Sequence, residues 1–317
     1  MVRFSIERTA HAGYDARRLA DAESGIEAVF LPGLGMVGAS LRHGGEELLG
    51  RTENLERYAT SGSTMGIPLL HPWANRLDGF RYAAAGREVE LDPSSPLLHP
   101  DGNGLPIHGI AGASLPWTVA GERADGAGAE LSADLAFDAD PALLAVFPFR
   151  HRLMMDVRLD PDGLTVRTTL TANAAVPAPV SFGYHPYFQL PGMPRAEWHV
   201  EIPVRERLEL DELMIPTGRA EPYTFAPGPL GELQFDDGFA GLLDRPVFAL
   251  AGGGRRLEVA FLDGYPYAQV FAPPGGDFIC FEPMTAPTNA LVSGDGLRLV
   301  EPGGSFSAAF RISIEPL

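Results

Sequence analysis

The sequence predicts an all-β fold, a sandwich or a barrel, that takes residues 1–317 as one domain. Three observations carry this. Several segments alternate apolar and polar residues at period two, the spacing of half-buried strands. Gly (37) and Pro (29) are spread as punctuation between short apolar runs, the pattern of sandwiches and barrels. Long windows with 3.6-residue periodicity are absent.

The elements follow in chain order. LPGLGMVG (31–38) has glycine spacing like a nucleotide loop but lacks a following helix, and it reads as a turn. Pro141–Ala145 fits one short helical turn. In HRLMMDVRL, Leu153, Met155, Val157 and Leu159 share one face. Asp160-Pro161-Asp162-Gly163 then forms a turn, and Leu164, Val166, Thr168 and Leu170 resume the alternation. A second hairpin is expected in YAQVFA, Pro273-Pro274-Gly275-Gly276, DFICFE. A third is expected in LRLV, Glu301-Pro302-Gly303-Gly304, SFSAAFRISI, where Phe306, Ala308, Phe310, Ile312 and Ile314 share a face.

Composition narrows the function. The 24 cations are all Arg and face 41 Asp and Glu, giving a net charge of −17. That balance disfavours nucleic acid, which needs clustered cations. One cysteine, Cys280, excludes an internal disulfide and any multi-cysteine metal centre. Cys280 lies within an apolar strand and is not read as a nucleophile. The first residues carry no apolar leader core and no run of 18 apolar residues occurs, so neither a signal peptide nor a membrane span is expected. The expected location is the cytoplasm. No P-loop, HxH or HExxH occurs, and neither a cofactor nor a metal is expected.

Four segments depart from the strand pattern. GIPLLHPWANRLDGF (66–80) breaks regular structure at Pro68 and Pro72 and then presents Asn75 and Arg76. A guanidinium on a rigid loop can donate to hydroxyl or carboxylate oxygens, although a salt-bridged surface Arg has the same signature. GLPIHGIAGASLPW (104–117) carries His108 before Gly109, where the backbone can turn or come close to another segment. Taken alone, the segment fits a core histidine bonded to a backbone carbonyl somewhat better. His71 and His99 are read as structural. SFGYHPYFQL (181–190) sets His185 in an aromatic run, and imidazole suits proton transfer near neutrality. FICFEPMTAPTNAL (278–291) places Glu282 at the close of an apolar strand, where a carboxylate is costly unless paired or used. Burial there raises its pKa toward the range of a general base.

PWANRL, IHG, GYHPYFQL and EPMTAPTNAL, in this order from about residue 25 to the C-terminus, resemble the aldose 1-epimerase (mutarotase) family. The resemblance implies a large antiparallel β-sandwich, the galactose mutarotase-like supersandwich, and a free monosaccharide as partner; the chain is expected to be a monomer or homodimer. It implies Glu282 as general base, His185 as general acid and His108 as a second active-site histidine. Asn75, Arg76, Asp236 (Asp237 if the register slips by one) and Gln269 correspond to sugar-binding positions. Three residues depart from the family pattern: Gln189 after HPYF, Leu77 after NR, and Thr288 in PTNA. An ionised Glu beside a protonated His would exchange protons with the two oxygens of a hemiacetal. The phosphorylated-sugar branch usually has a PWFG-type loop where this chain has PWANRL. That branch and a non-catalytic sugar-binding protein are the alternatives.

Overall fold

The computed structural model describes residues 2–317. Three antiparallel sheets hold most of them. The first is a five-stranded meander from Phe4–His11 to Glu46–Glu47. The second has nine strands. Thr118–Asp125, Gly128–Leu135, His151–Asp160 and Gly163–Ala172 form one flank, Ser305–Pro316 lies at the centre, and Arg255–Asp263 and Val247–Gly252 follow. The third has eight strands and carries the site. Its path runs Pro216–Pro222, Val204–Leu210, Phe235–Leu242, Tyr267–Ala272, Ile279–Met284, Gly183–Tyr184 and Leu69–Leu70, with Tyr187–Phe188 also paired to Ile279–Met284.

Period-two patterning explains the hairpins. Leu153, Met155, Val157, Leu159, Leu164, Val166 and Leu170 are all buried. Each such side chain contributes roughly 1.5–3 kcal/mol on burial, so this hairpin is held by its inward face. It closes with Asp160 opposite Gly163, in the predicted turn. The second hairpin also forms, with Phe271 opposite Cys280 and Tyr267 opposite Met284. The helical turn is present at Pro141–Val146, capped by the Asp140 side chain on the Ala142 amide.

The third hairpin does not form. Ser305–Pro316 is paired on both edges, to Gly163–Ala172 and to Arg255–Asp263. No edge is left for Arg298–Val300, which pairs with Ala178–Val180 instead. A helix at Leu55–Ser61 has no long periodic stretch to announce it. Leu69–Leu70 forms a two-residue strand between Pro68 and Pro72, where regular structure was not expected.

The sheets share one apolar core. Phe248 of the nine-stranded sheet lies 5.4 Å, ring to ring, from Phe281 of the eight-stranded one. Tyr184 lies 5.0 Å from Phe310 across the same interface. His71 is structural, as expected. It is buried among Phe137, Phe147 and Phe182, with its Nε2 2.9 Å from the Nε2 of His151. His151 Nδ1 lies 2.6 Å from the Phe149 carbonyl and donates to it, so His71 must supply the proton between the two rings.

Candidate active site

Strand register assembles the floor of a cleft. Tyr187 pairs with Cys280 and Gly183 with Met284. Two residues in from each pair, His185 stands opposite Glu282. Pro186 lacks an N–H and interrupts the ladder there, and the His185 amide bonds the Pro68 carbonyl instead. On the other side Glu282 pairs with Gln269, and Gln269 with Gly238. Directly opposed residues share a face, so Asp236, Phe271, Gln269, Glu282 and His185 all point one way. Gly238 leaves room on that face, since a Cβ there would lie 3.2 Å from Gln269 Oε1.

Two zipped loops form the wall. The His108 amide bonds the Asn75 carbonyl, the Leu77 amide bonds the Pro106 carbonyl, and the Ile110 amide bonds the His71 carbonyl. Gly109 sits at φ +70, and a Cβ there would lie 2.4 Å from the His71 oxygen. Asn289 donates its amide to the Arg76 carbonyl and accepts the Asp78 amide at 2.8 Å, tying PTNA to this wall.

The resulting cleft has a volume of about 240 Å³, below the roughly 300–1,000 Å³ of drug-sized sites and suited to one small polar ring. His185, Glu282, His108, Asn75, Arg76 and Asp236 all line it. His185 Nε2 is 3.3 Å from Glu282 Oε1, and their side chains are 7% and 1% exposed. Glu282 Oε2 and the Nδ1 atoms of His185 and His108 have no protein partner among the described residues. His185 stacks on Tyr187 at 4.5 Å and meets His108 edge-on at 5.3 Å. Arg76 is held by Asp101, which accepts from Nε at 2.7 Å, and by Asn75 Oδ1 at 3.1 Å from Nη1. Its far side faces Asp236 at 3.8 Å.

Burial sets the protonation. It raises the Glu282 carboxyl well above its usual value, reinforced by Asp236 and opposed by Arg76. It lowers His185 to about 3, with the Arg51 charge adding to the effect, and lowers His108 well below its usual value, with the His185 ring adding to it. Burial therefore favours the neutral acid and the neutral imidazole over the ion pair. Both arrangements hold one proton, and the 3.3 Å contact joins them.

Gln269 does not line the cleft. It donates to Asp236 Oδ1 at 2.8 Å and supports that carboxylate from behind. Asp237 lies 3.6 Å from Arg207, so the register favours Asp236 as the cleft residue. His99, read as structural, lines the cleft. Arg51, Ser63, Thr64, Asp101, Tyr187 and Phe271 do so as well and were not singled out. Only Tyr187 and Phe271 had a readable signal, standing two residues from His185 and Gln269 on the same strand faces. Cys280 is buried in its strand, and burial raises its thiol well above the usual range.

The model of the family described as aldose 1-epimerase matches residues 32–313. The chain belongs to the aldose 1-epimerase family. An uncharacterised Escherichia coli K12 protein, YphB, is 26% identical over 282 residues, covering 78% of this chain and 83% of that one. Among solved structures, a galactose mutarotase-like protein from Clostridium acetobutylicum superposes with a TM-score of 0.87 at 19% identity, covering 99% of each chain. A galactose 1-epimerase from Lactobacillus acidophilus NCFM gives 0.76 at 15%, covering 100% of this chain and 99% of that one. These likenesses establish the galactose mutarotase-like fold. None of the three residues that depart from the family pattern, Gln189, Leu77 and Thr288, lines the cleft, and Gln189 bonds the backbone of Leu48 and Glu47. Among the described residues, no cluster of His, Cys, Asp and Glu has metal-binding geometry, and no helix is long and apolar enough to cross a membrane.

Proposed function

We propose that the protein is an aldose 1-epimerase that interconverts the α and β anomers of a free aldose by general acid–base catalysis. The observation that carries this is the juxtaposition of His185 and Glu282 at 3.3 Å, facing the cleft. O1 and O5 of a pyranose are both bonded to C1, so two neighbouring proton-transfer groups can serve both.

With the shared proton on His185, Glu282 is a carboxylate. It takes the proton of the O1 hydroxyl while His185 Nε2 gives its proton to O5. The C1–O5 bond breaks, C1 becomes a carbonyl, and the open chain rotates about C1–C2. O5 then attacks the other face of C1, returns a proton to His185, and O1 recovers one from Glu282. Protons and electrons balance without redox chemistry. Each positioned group contributes roughly 10²–10⁴-fold. A dry site strengthens both. Neutral His108, edge-on to His185, serves the ring oxygen as a hydrogen-bond partner. Arg76, Asn75 and Asp236 hold the remaining hydroxyls, so that C1 lies at the pair.

The test is NMR exchange or polarimetry on freshly dissolved α-D-glucose and α-D-galactose. Faster equilibration supports the proposal. Binding without acceleration would instead indicate a sugar-binding protein.

A further inference from the structure

Arg76 and Arg51 both line the cleft, but they differ in one respect. Arg76 is committed to Asp101 and Asp236. Arg51 makes no ion pair among the described residues. Its Nη1 and Nη2 reach only neutral hydroxyls, Tyr187 and Ser63, both at the long distance of 3.4 Å. Its guanidinium lies 5.2 Å from the Tyr187 ring centroid. Thr64 Oγ1 completes this end of the cleft, 2.6 Å from the Tyr187 hydroxyl. A planar guanidinium with free donors, ringed by hydroxyls, is built for a carboxylate accepted two-pronged.

The proposed reaction fixes which part of a sugar would meet it. Arg51 belongs to the His185 end of the cleft, where Tyr187 stacks on His185. Arg76 belongs to the other end, and its charge is felt at Glu282. A ring seated with O1 at Glu282 and O5 at His185 directs C2 and C3 toward Arg76 and Asp236. C5 is bonded to O5, so its substituent C6 extends past His185 toward Tyr187 and Arg51.

We propose that Arg51 selects aldoses carrying a carboxylate at C6, that is hexuronates, through the Tyr187 end of the cleft. One uncommitted cation among hydroxyls matches a monoanion. A phosphate dianion would meet the same single cation with Asp101, Asp236 and Glu282 in the same small cleft. This inference rests on the mutarotase pose, so its test includes binding as well as turnover.

The experiment measures anomer exchange of D-glucuronate, D-glucose and glucose 6-phosphate by NMR, and their binding by calorimetry, for the wild type, Arg51→Gln and Arg51→Lys. The uronate-to-glucose ratio of kcat/KM should exceed one in the wild type. It should fall roughly 10- to 100-fold in Arg51→Gln, chiefly through KM. Arg51→Lys should retain part of it, and added salt should erode it. An unchanged ratio in Arg51→Gln, or a wild-type preference for glucose or glucose 6-phosphate, would overturn the proposal. If no sugar is turned over faster, the mutarotase reading fails by itself. Uronate binding that still depends on Arg51 would then uphold this one, and its absence would overturn it.

Discussion

Gly109→Ala tests how the wall of the cleft is built. The added Cβ would lie 2.4 Å from the His71 oxygen, 2.5 Å from its carbon and 2.7 Å from the Pro72 nitrogen. All three are backbone atoms, so a segment must move. The residue also sits at φ +70, which costs a non-glycine residue about 1–2 kcal/mol. Overpacking adds about 1–3 kcal/mol, for a total of about 2–5 kcal/mol. At about 2–4 °C per kcal/mol for a large domain, the melting temperature should drop by roughly 4–20 °C. Gly86→Ala is the matched control. It has φ +74 and nothing within 4 Å of the new Cβ, so it carries the backbone term alone. His108 precedes Gly109, and a displacement of about 1 Å can reduce turnover about 10²-fold. Differential scanning calorimetry and anomer exchange on both variants separate the two terms. A Gly109→Ala protein that melts with Gly86→Ala and turns over like the wild type would refute the close approach.

Other outcomes follow from the same geometry. Asp236→Asn should lower kcat/KM roughly 10- to 100-fold by loosening a charged hydroxyl contact, while Asp237→Asn, facing Arg207, should stay within about threefold. Steady-state kinetics on the two variants decide the register. Asp101→Asn should raise KM more than it lowers kcat, because Asp101 orients Arg76 without lining up with the proton-transfer pair. Equal losses in kcat and kcat/KM would contradict that. Buried His151 is lowered by burial from 6.5 to about 4. The unfolded chain binds that proton below about 6.5 and the folded chain only near 4, so stability is present above the window and lost as pH falls through it, by up to about 3 kcal/mol. Urea titrations at pH 7 and pH 4.5 check it, and equal midpoints would refute it.

Much of the site could be read in one dimension because strands write their faces at period two. His185 and Tyr187, Gln269 and Phe271, and Cys280 and Glu282 each share a face, and two antiparallel pairings bring them together. Pro186 and Gly109 mark where the chain leaves regular structure, and both flank a cleft histidine. Arg51, His99 and Asp101 were not legible. Arg51 and Asp101 lie outside regular elements and His99 on the short strand Leu98–Pro100, and the approach of all three to the cleft depends on contacts distant in sequence, such as Arg76 with Asp101. The failed terminal hairpin has a similar cause. A Gly-rich turn specifies a reversal, but which edge accepts the strand depends on competitors elsewhere in the chain. The upward shift of the Glu282 carboxyl was legible from its place at the close of an apolar strand, whereas the depth of His185, which lowers its imidazole, depends on packing from several segments.

The most direct measurement is anomer exchange on α-D-galactose by the wild type, Glu282→Gln and His185→Asn, with thermal melts alongside. The account predicts acceleration by the wild type and a loss of roughly 10²-fold or more in each variant, with cooperative unfolding retained. A Glu282→Gln protein that equilibrates the sugar as fast as the wild type would contradict it.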